Sequence, residues 1–102
     1  MESVFSAVAD PTRRTILGRL RSLGPLSIKQ LAEPLPITRQ AVTKHLDILI
    51  ASGLVEVRRV GRERLHFLNP TPLHEVEDWL KPYSEAWDRR LTRLQQHLEN
   101  LQ

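Results

Sequence analysis

Apolar residues recur at three- and four-residue spacing through most of this chain, and change to alternation only between residues 54 and 68. The first spacing marks helices with one buried face; the second marks a half-buried hairpin. Val4, Phe5 and Val8 start a helix over Ser3 to Ala9. Asp10-Pro11 reads as an N-cap followed by proline at the first helical position, where a missing N–H costs nothing. Ile16, Leu17 and Leu20 give the second helix its apolar face, Leu23 lies near its end, and Gly24-Pro25 stops it. Ser27 and Gln30 are spaced as a capping box ahead of Ile28, Leu31 and Ala32. Pro34-Leu35-Pro36 closes this short third helix.

Thr38 is the expected N-cap of a fourth helix, with Ala41, Val42, Leu46, Leu49 and Ile50 as its core face and Ser52-Gly53 as its end. Leu54, Val55 and Val57 read as a strand and Leu65, Phe67 and Leu68 as its return, turning near Val60-Gly61-Arg62-Glu63. Alternation then places Val57, Leu65 and Phe67 toward the core. After Asn69-Pro70-Thr71-Pro72, a last helix carries Leu73, Val76, Leu80, Tyr83, Trp87, Leu91, Leu94 and Leu98 in one apolar seam. Pro82 removes a backbone donor inside it. The expected fold is mainly α with a β-hairpin wing. One domain covers 1–102, with a helix-turn-helix over 27–52, a wing over 54–68 and a C-terminal helix over 73–98.

Charge distribution sharpens this picture more than total charge does. The net charge is only +3. Between Thr38 and Leu68 lie Arg39, Lys44, Arg58, Arg59, Arg62 and Arg64 against Asp47, Glu56 and Glu63, whereas acidic residues outnumber basic ones after Thr71. A polyanion is therefore expected to meet the middle of the chain. The absence of cysteine excludes disulfides and thiolate metal sites. No apolar run is long enough for a membrane span and no leader pattern is seen, so the cytoplasm is the expected compartment.

Sequence-specific binding of double-stranded DNA follows as the leading functional reading. The major groove admits one helix, read by side chains near its start. Arg39, Gln40, Thr43 and Lys44 open the fourth helix on a broad polar face and are the candidate base contacts. Gln40 suits adenine edges, Arg39 guanine or phosphate, and Thr43 a thymine methyl or a phosphate. Thr38, Lys29, Arg58, Arg59, Arg62 and Arg64 are candidate backbone or wing contacts. His45 lies beside the duplex or packs near the turn. Arg13 and Arg14 either approach phosphates or serve an ordinary surface. A solvated helix face and a charged strand edge are the plainer alternatives, and the edge explains four arginines less well than one or two.

At these residues the chain resembles the ArsR family of winged-helix repressors. The resemblance runs through Ala9-Asp10-Pro11-Thr12-Arg13-Arg14-Thr15-Ile16-Leu17, then Leu31-Ala32 and Arg39-Gln40-Ala41-Val42-Thr43-Lys44-His45-Leu46, then Gly53-Leu54-Val55 and Gly61-Arg62. It implies a homodimer on a near-palindromic operator, with Arg39, Gln40, Thr43 and Lys44 facing bases and Arg62 on the wing. Metal-sensing members place cysteines near the short helix, where this chain has none. His74, Glu75, Glu77 and Asp78 read as a solvated acidic helix start. The resemblance is to a cysteine-free subgroup, with no metal, no cofactor and an unknown effector.

Pairing of two chains is the economical way to cover the final seam, with Val4, Phe5 and Val8 joining it. Trp79, Tyr83 and Trp87 are the large candidate anchors of this seam; Trp79 lies one residue off it, and covering the hairpin is its alternative place. No phosphate loop, metalloprotease motif or nucleophile elbow supports an enzyme. A winged-helix protein-interaction module is the rival reading; within the DNA-binding reading, activation in place of repression is the other alternative, since DNA contacts alone do not fix the transcriptional sign.

Overall fold

The computed structural model describes residues 1–101. Among them lie α1 (Glu2–Val8), α2 (Pro11–Leu23), α3 (Ile28–Ala32), α4 (Arg39–Ala51), β1 (Val55–Val60), β2 (Glu63–Leu68) and α5 (Thr71–Asn100). The order is that of a mainly helical chain with a hairpin wing, as the pattern predicts.

Local chemistry makes the helix boundaries. The Asp10 carboxylate accepts the Arg13 N–H at 3.0 Å, capping α2. Ser27 and Gln30 complete a capping box: the Gln30 N–H donates to Ser27 Oγ at 3.2 Å, and the Ser27 N–H donates to Gln30 Oε1 at 2.8 Å. Thr38 Oγ1 accepts the Ala41 N–H at 3.1 Å at the start of α4. Each such cap is worth about 1 kcal/mol. At the other end of α4, Gly53 takes φ +81°. Its N–H donates to Ile50 O at 3.0 Å and the Leu54 N–H donates to Leu49 O at 3.1 Å. This pair of bonds satisfies carbonyls that the helix end would otherwise orphan, and it turns the chain into β1.

The core lies between α1, α2, α3, α4 and the base of the hairpin. It is built from Val4, Ala7, Ile16, Leu20, Leu26, Leu31, Val42, Leu46, Leu49, Leu54 and Val55. Several residues depart from their expected places, among them Val8 and Val76, expected between subunits, which pack partly buried against this core. Val4, expected between subunits, is 3% exposed within the chain's own core. Ile50, expected in the core, is 37% exposed. Ile50 lies one residue, or 100° of rotation, beyond the buried Leu49, so it faces the wing beside Val57.

The hairpin register also departs from expectation. β1 and β2 pair antiparallel across a two-residue loop, with Val60 opposite Glu63, Val57 opposite His66, and Val55 opposite Leu68. A loop of even length pairs each odd position with an even one. Val57 therefore shares its face with His66 and Leu68, while Leu65 and Phe67 share the opposite face with Arg58 and Glu56. The inward residue is His66, which is 8% exposed. Its N–H donates to Leu26 O at 2.8 Å and its carbonyl accepts the Leu26 N–H at 3.2 Å. Its Nδ1 lies 3.0 Å from the same Leu26 oxygen. This short bridge fastens the wing to the α2–α3 connection.

α5 contributes no buried residue and continues helically through Pro82. Its 30 residues span roughly 45 Å at 1.5 Å per residue, within a longest molecular dimension of 66 Å. Leu80, Tyr83, Trp87, Leu91, Leu94 and Leu98 all stand exposed. Near the start of α5, Val76 packs on the core. Trp79 meets Phe5 of α1 edge-on, with centroids 5.5 Å apart. Trp79 thus joins α1 to α5, and of its two expected places the hairpin is not the one it takes.

Two glycines are expected to respond with opposite sign. Gly53→Ala keeps ordinary clearance from Pro72 but must hold φ +81°, and it lowers stability by about 1–2 kcal/mol. Gly18 lies within α2 with open space where a Cβ would stand, so Gly18→Ala raises stability by about 0.5–1 kcal/mol. Urea unfolding at one fixed protomer concentration measures both.

Candidate nucleic-acid interface

Burial of Val42, Leu46 and Leu49 turns the other side of α4 outward. Arg39, Gln40, Thr43, Lys44 and Asp47 are all exposed or half-buried on it, and so is the cap residue Thr38. The Thr43 hydroxyl donates to Arg39 O at 3.0 Å, leaving its oxygen lone pairs and its methyl for an outside partner. Arg39 and Lys44 have no acidic partner within 4.0 Å among the described residues. Lys29 and Arg39 line one depression of about 380 Å³ at the α3–α4 turn, with Glu33 beside them.

The wing arginines divide by strand face. Arg59 stands directly opposite Arg64 on the face shared with Val57 and His66. Like charges in direct cross-strand pairing are destabilising, and no acid within 4.0 Å offsets this pair among the described residues. Arg64 lines a groove of about 190 Å³ together with Thr43 and Asp47 of α4, so this face looks along α4. Arg62 stands exposed at the tip, beside Gly61 at φ +64°. Arg58 is different. It lies 3.3 Å from Glu56 and its guanidinium sits 4.4 Å above the Phe67 ring, on the opposite face. The structure therefore brings Arg59, Arg62 and Arg64 to the candidate surface and holds Arg58 away from it.

Three further residues are placed by contacts that spacing does not reveal. Arg14 Nη1 donates to Val8 O at 2.8 Å and Ala9 O at 3.1 Å. Arg13 donates through Nε to Ala7 O at 2.7 Å and through Nη2 to Ser6 O at 3.0 Å. Both arginines thus satisfy the carbonyl end of α1, a familiar use of cations at a helix C-terminus. His45 is half-buried and turned to the same junction: its Nδ1 lies 3.3 Å from Arg13 Nη1 and 3.8 Å from Asp10 Oδ2. Of the two expected positions for His45, the structure shows packing near a turn.

On α5, His74 Nδ1 lies 3.5 Å from Glu77 and Lys81 lies 3.1 Å from Asp78, all of them exposed. Among the described residues no group of three or more His, Asp or Glu side chains is arranged to hold a metal ion. None of the helices described is long and apolar enough to cross a membrane.

A capped short helix, a tight turn, a second helix with a cationic polar face, and a hairpin with unpaired arginines define a winged helix-turn-helix DNA-binding protein. A helix-turn-helix domain family matches residues 8–58. The HTH-type transcriptional regulator Rv2034 of Mycobacterium tuberculosis is 37% identical over 99 residues, covering 97% of this chain and 89% of its own. The transcriptional repressor SdpR of Bacillus subtilis is 32% identical over 91 residues, covering 89% of this chain and 100% of its own. An ArsR-like transcriptional regulator from Rhodococcus sp. RHA1 superposes with a TM-score of 0.72 at 42% identity, covering 93% of this chain and 89% of its own. The chain belongs to the ArsR family of transcriptional regulators. Regulators of this family bind DNA and typically act as dimers. The chain is accordingly a DNA-binding regulator and not an enzyme.

Asp10 makes the acid limit of this scaffold predictable. The Arg13 N–H bonded to its carboxylate lowers its pKa from the ordinary 3.8, and the Arg13 and His45 charges add to that effect. A lowered folded pKa contributes stability that is present above the unfolded value and lost as pH falls through the folded one. Asp10→Asn is expected to remove that acid-side loss below pH 3.8. Thermal unfolding across pH checks it.

Proposed function

We propose that this chain is a cytoplasmic, dimeric repressor that occupies a near-palindromic operator and excludes polymerase from the promoter beneath it. Arg39, Gln40, Thr43 and Lys44 read base edges. Lys29 and Thr38 meet phosphates beside the reading helix, and Arg59, Arg62 and Arg64 meet them from the wing. Two copies set their α4 helices about 34 Å apart, on successive major grooves of one face of the duplex. Repression follows the relatives' sign, since SdpR is named a transcriptional repressor.

One observation carries the reading. Arg59 faces Arg64 across the hairpin, and neither they nor Arg39 and Lys44 have an acidic partner within 4.0 Å among the described residues. A chain that leaves cations aligned against each other gains from an external polyanion. The groove lined by both Arg64 and Thr43 supports the same reading, because wing and α4 form its walls together.

Selection from random duplex DNA is expected to enrich a two-fold symmetric site. Arg59→Gln and Arg64→Gln each weaken binding to all duplexes and reduce the salt slope by about one unit for each phosphate no longer neutralised. Gln40→Ala instead relaxes preference at one base position per half-site, costing about 1–3 kcal/mol there. Absence of enrichment at low salt would overturn the reading in favour of a protein-docking module.

The seam of α5 supports the dimer. Leu91 and Leu94 are 47% and 55% exposed, and full burial of such a side chain stabilises by about 1.5–3 kcal/mol. The double variant Leu91→Asp, Leu94→Asp is expected to be monomeric by light scattering and to lose the symmetric site. A variant that stays dimeric would show that pairing uses another surface.

A further inference from the structure

Pairing and reading are assigned to different helices, so something must hold them in register. α1 belongs with α5 through Phe5 and Trp79. The reading face belongs to α4. Arg13 stands between them. Two arms of its guanidinium hold the final carbonyls of α1, Nε to Ala7 O at 2.7 Å and Nη2 to Ser6 O at 3.0 Å. The remaining arm, Nη1, reaches His45 Nδ1 of α4 at 3.3 Å. The Asp10 carboxylate, itself fixed by the Arg13 N–H, lies 3.8 Å from the same ring nitrogen.

We propose that Arg13 and His45 are positioning residues that fix the reading helix relative to the pairing helices, and so set the distance between the two reading helices of a dimer. The inference rests on the proposed role of α4 in reading DNA. Three acceptors on two helices require three N–H directions held in one plane, which a guanidinium supplies and an ammonium does not. To accept from that cation, His45 Nδ1 must be unprotonated, which places the ring proton of the neutral form on Nε2. His45 is turned away from the row Arg39, Gln40, Thr43 and Lys44, with its side chain 24% exposed at the α1–α2 junction. The clasp is therefore separate from the surface that meets phosphate. The hydrophobic core fixes which side of α4 points outward, but apolar contacts are non-directional. A charge-assisted hydrogen bond across the helices adds the direction that half-site spacing needs.

The test uses the full chain, its selected duplex, and duplexes with the half-sites moved one base pair closer or farther. Arg13→Gln and His45→Leu are expected to weaken the selected site by about tenfold and to flatten discrimination between spacings, with the salt slope unchanged. His45→Gln, which keeps a hydrogen-bond acceptor, is expected to restore most of both. A salt slope lower by about one unit in His45→Leu would make His45 a phosphate contact and overturn the proposal. A lower melting temperature with affinity and spacing preference intact would overturn it as well, by reducing the clasp to a structural bond. Should Arg13→Gln fail to fold, the comparison of His45→Leu with His45→Gln decides alone. Wild-type protein that selects no duplex overturns the DNA reading and this inference with it. Wild type that selects a symmetric site while the variants keep its spacing preference overturns only the inference.

Discussion

The rotation of α4 about its own axis is fixed by three buried side chains, and the rest of the surface follows from it. Val42, Leu46 and Leu49 occupy successive turns of one stripe. A rotation by one residue would bring Thr43, Asp47 and Ile50 into their places. That would bury a carboxylate with no partner and expose two leucines. Leu-to-Ala losses at such sites cost about 2–5 kcal/mol, and an unpaired buried charge costs several more. The polar face of α4 is therefore outward because its alternative is forbidden, whether or not DNA is present. Gly53 then turns the chain within one residue of the helix end, so the wing starts from the same rigid element and lies beside the same groove.

The wing shows how one integer decides which residues can act. Its two-residue loop makes Arg59 a partner of Arg64 and sends Arg58 to the other face. Once there, Arg58 finds Glu56 and the Phe67 ring, and its charge is compensated. One more residue in the loop would exchange the faces of β2 relative to β1, placing Leu65 and Phe67 beside Val57 as the alternation of apolar residues invites. The register that forms instead buries His66. The bonds of His66 to Leu26 pair its backbone N–H and carbonyl and give its Nδ1 a partner, as an inward histidine requires.

What is legible in the sequence divides by the range of the interaction. Helix starts at Asp10, Ser27 and Thr38 and the stop at Gly53 can be read directly, because a cap is decided within about four residues. The polar set Arg39, Gln40, Thr43 and Lys44 is legible for a related reason: helical period assigns faces without knowing the neighbours. The hairpin is legible but its inward face is not, since composition does not reveal loop length. Val4 is ambiguous because α1 has apolar residues on two sides, and only the fold-back of α2 decides which side the chain itself covers. Arg13 and Arg14 look like free cations for the same reason. Their acceptors lie five to seven residues earlier, across a turn whose angle no local rule supplies.

Helices, caps and core agree with one another at nearly every position, as a foldable sequence requires. Two departures bear on function: apolar residues along water on α5, and opposed arginines on the wing beside the cationic face of α4. Natural chains depart from local consistency chiefly where a function offsets the cost. The two departures call for different partners, because one is apolar and the other cationic. They are also joined: α5 meets α1 at Phe5, the end of α1 is held by Arg13, and Arg13 reaches α4 at His45. A partner that covers the seam therefore acts on the same rigid frame that presents the charge. On the proposed reading, subunit pairing and DNA recognition are then two uses of that one frame, joined through a handful of hydrogen bonds at the junction of three helices.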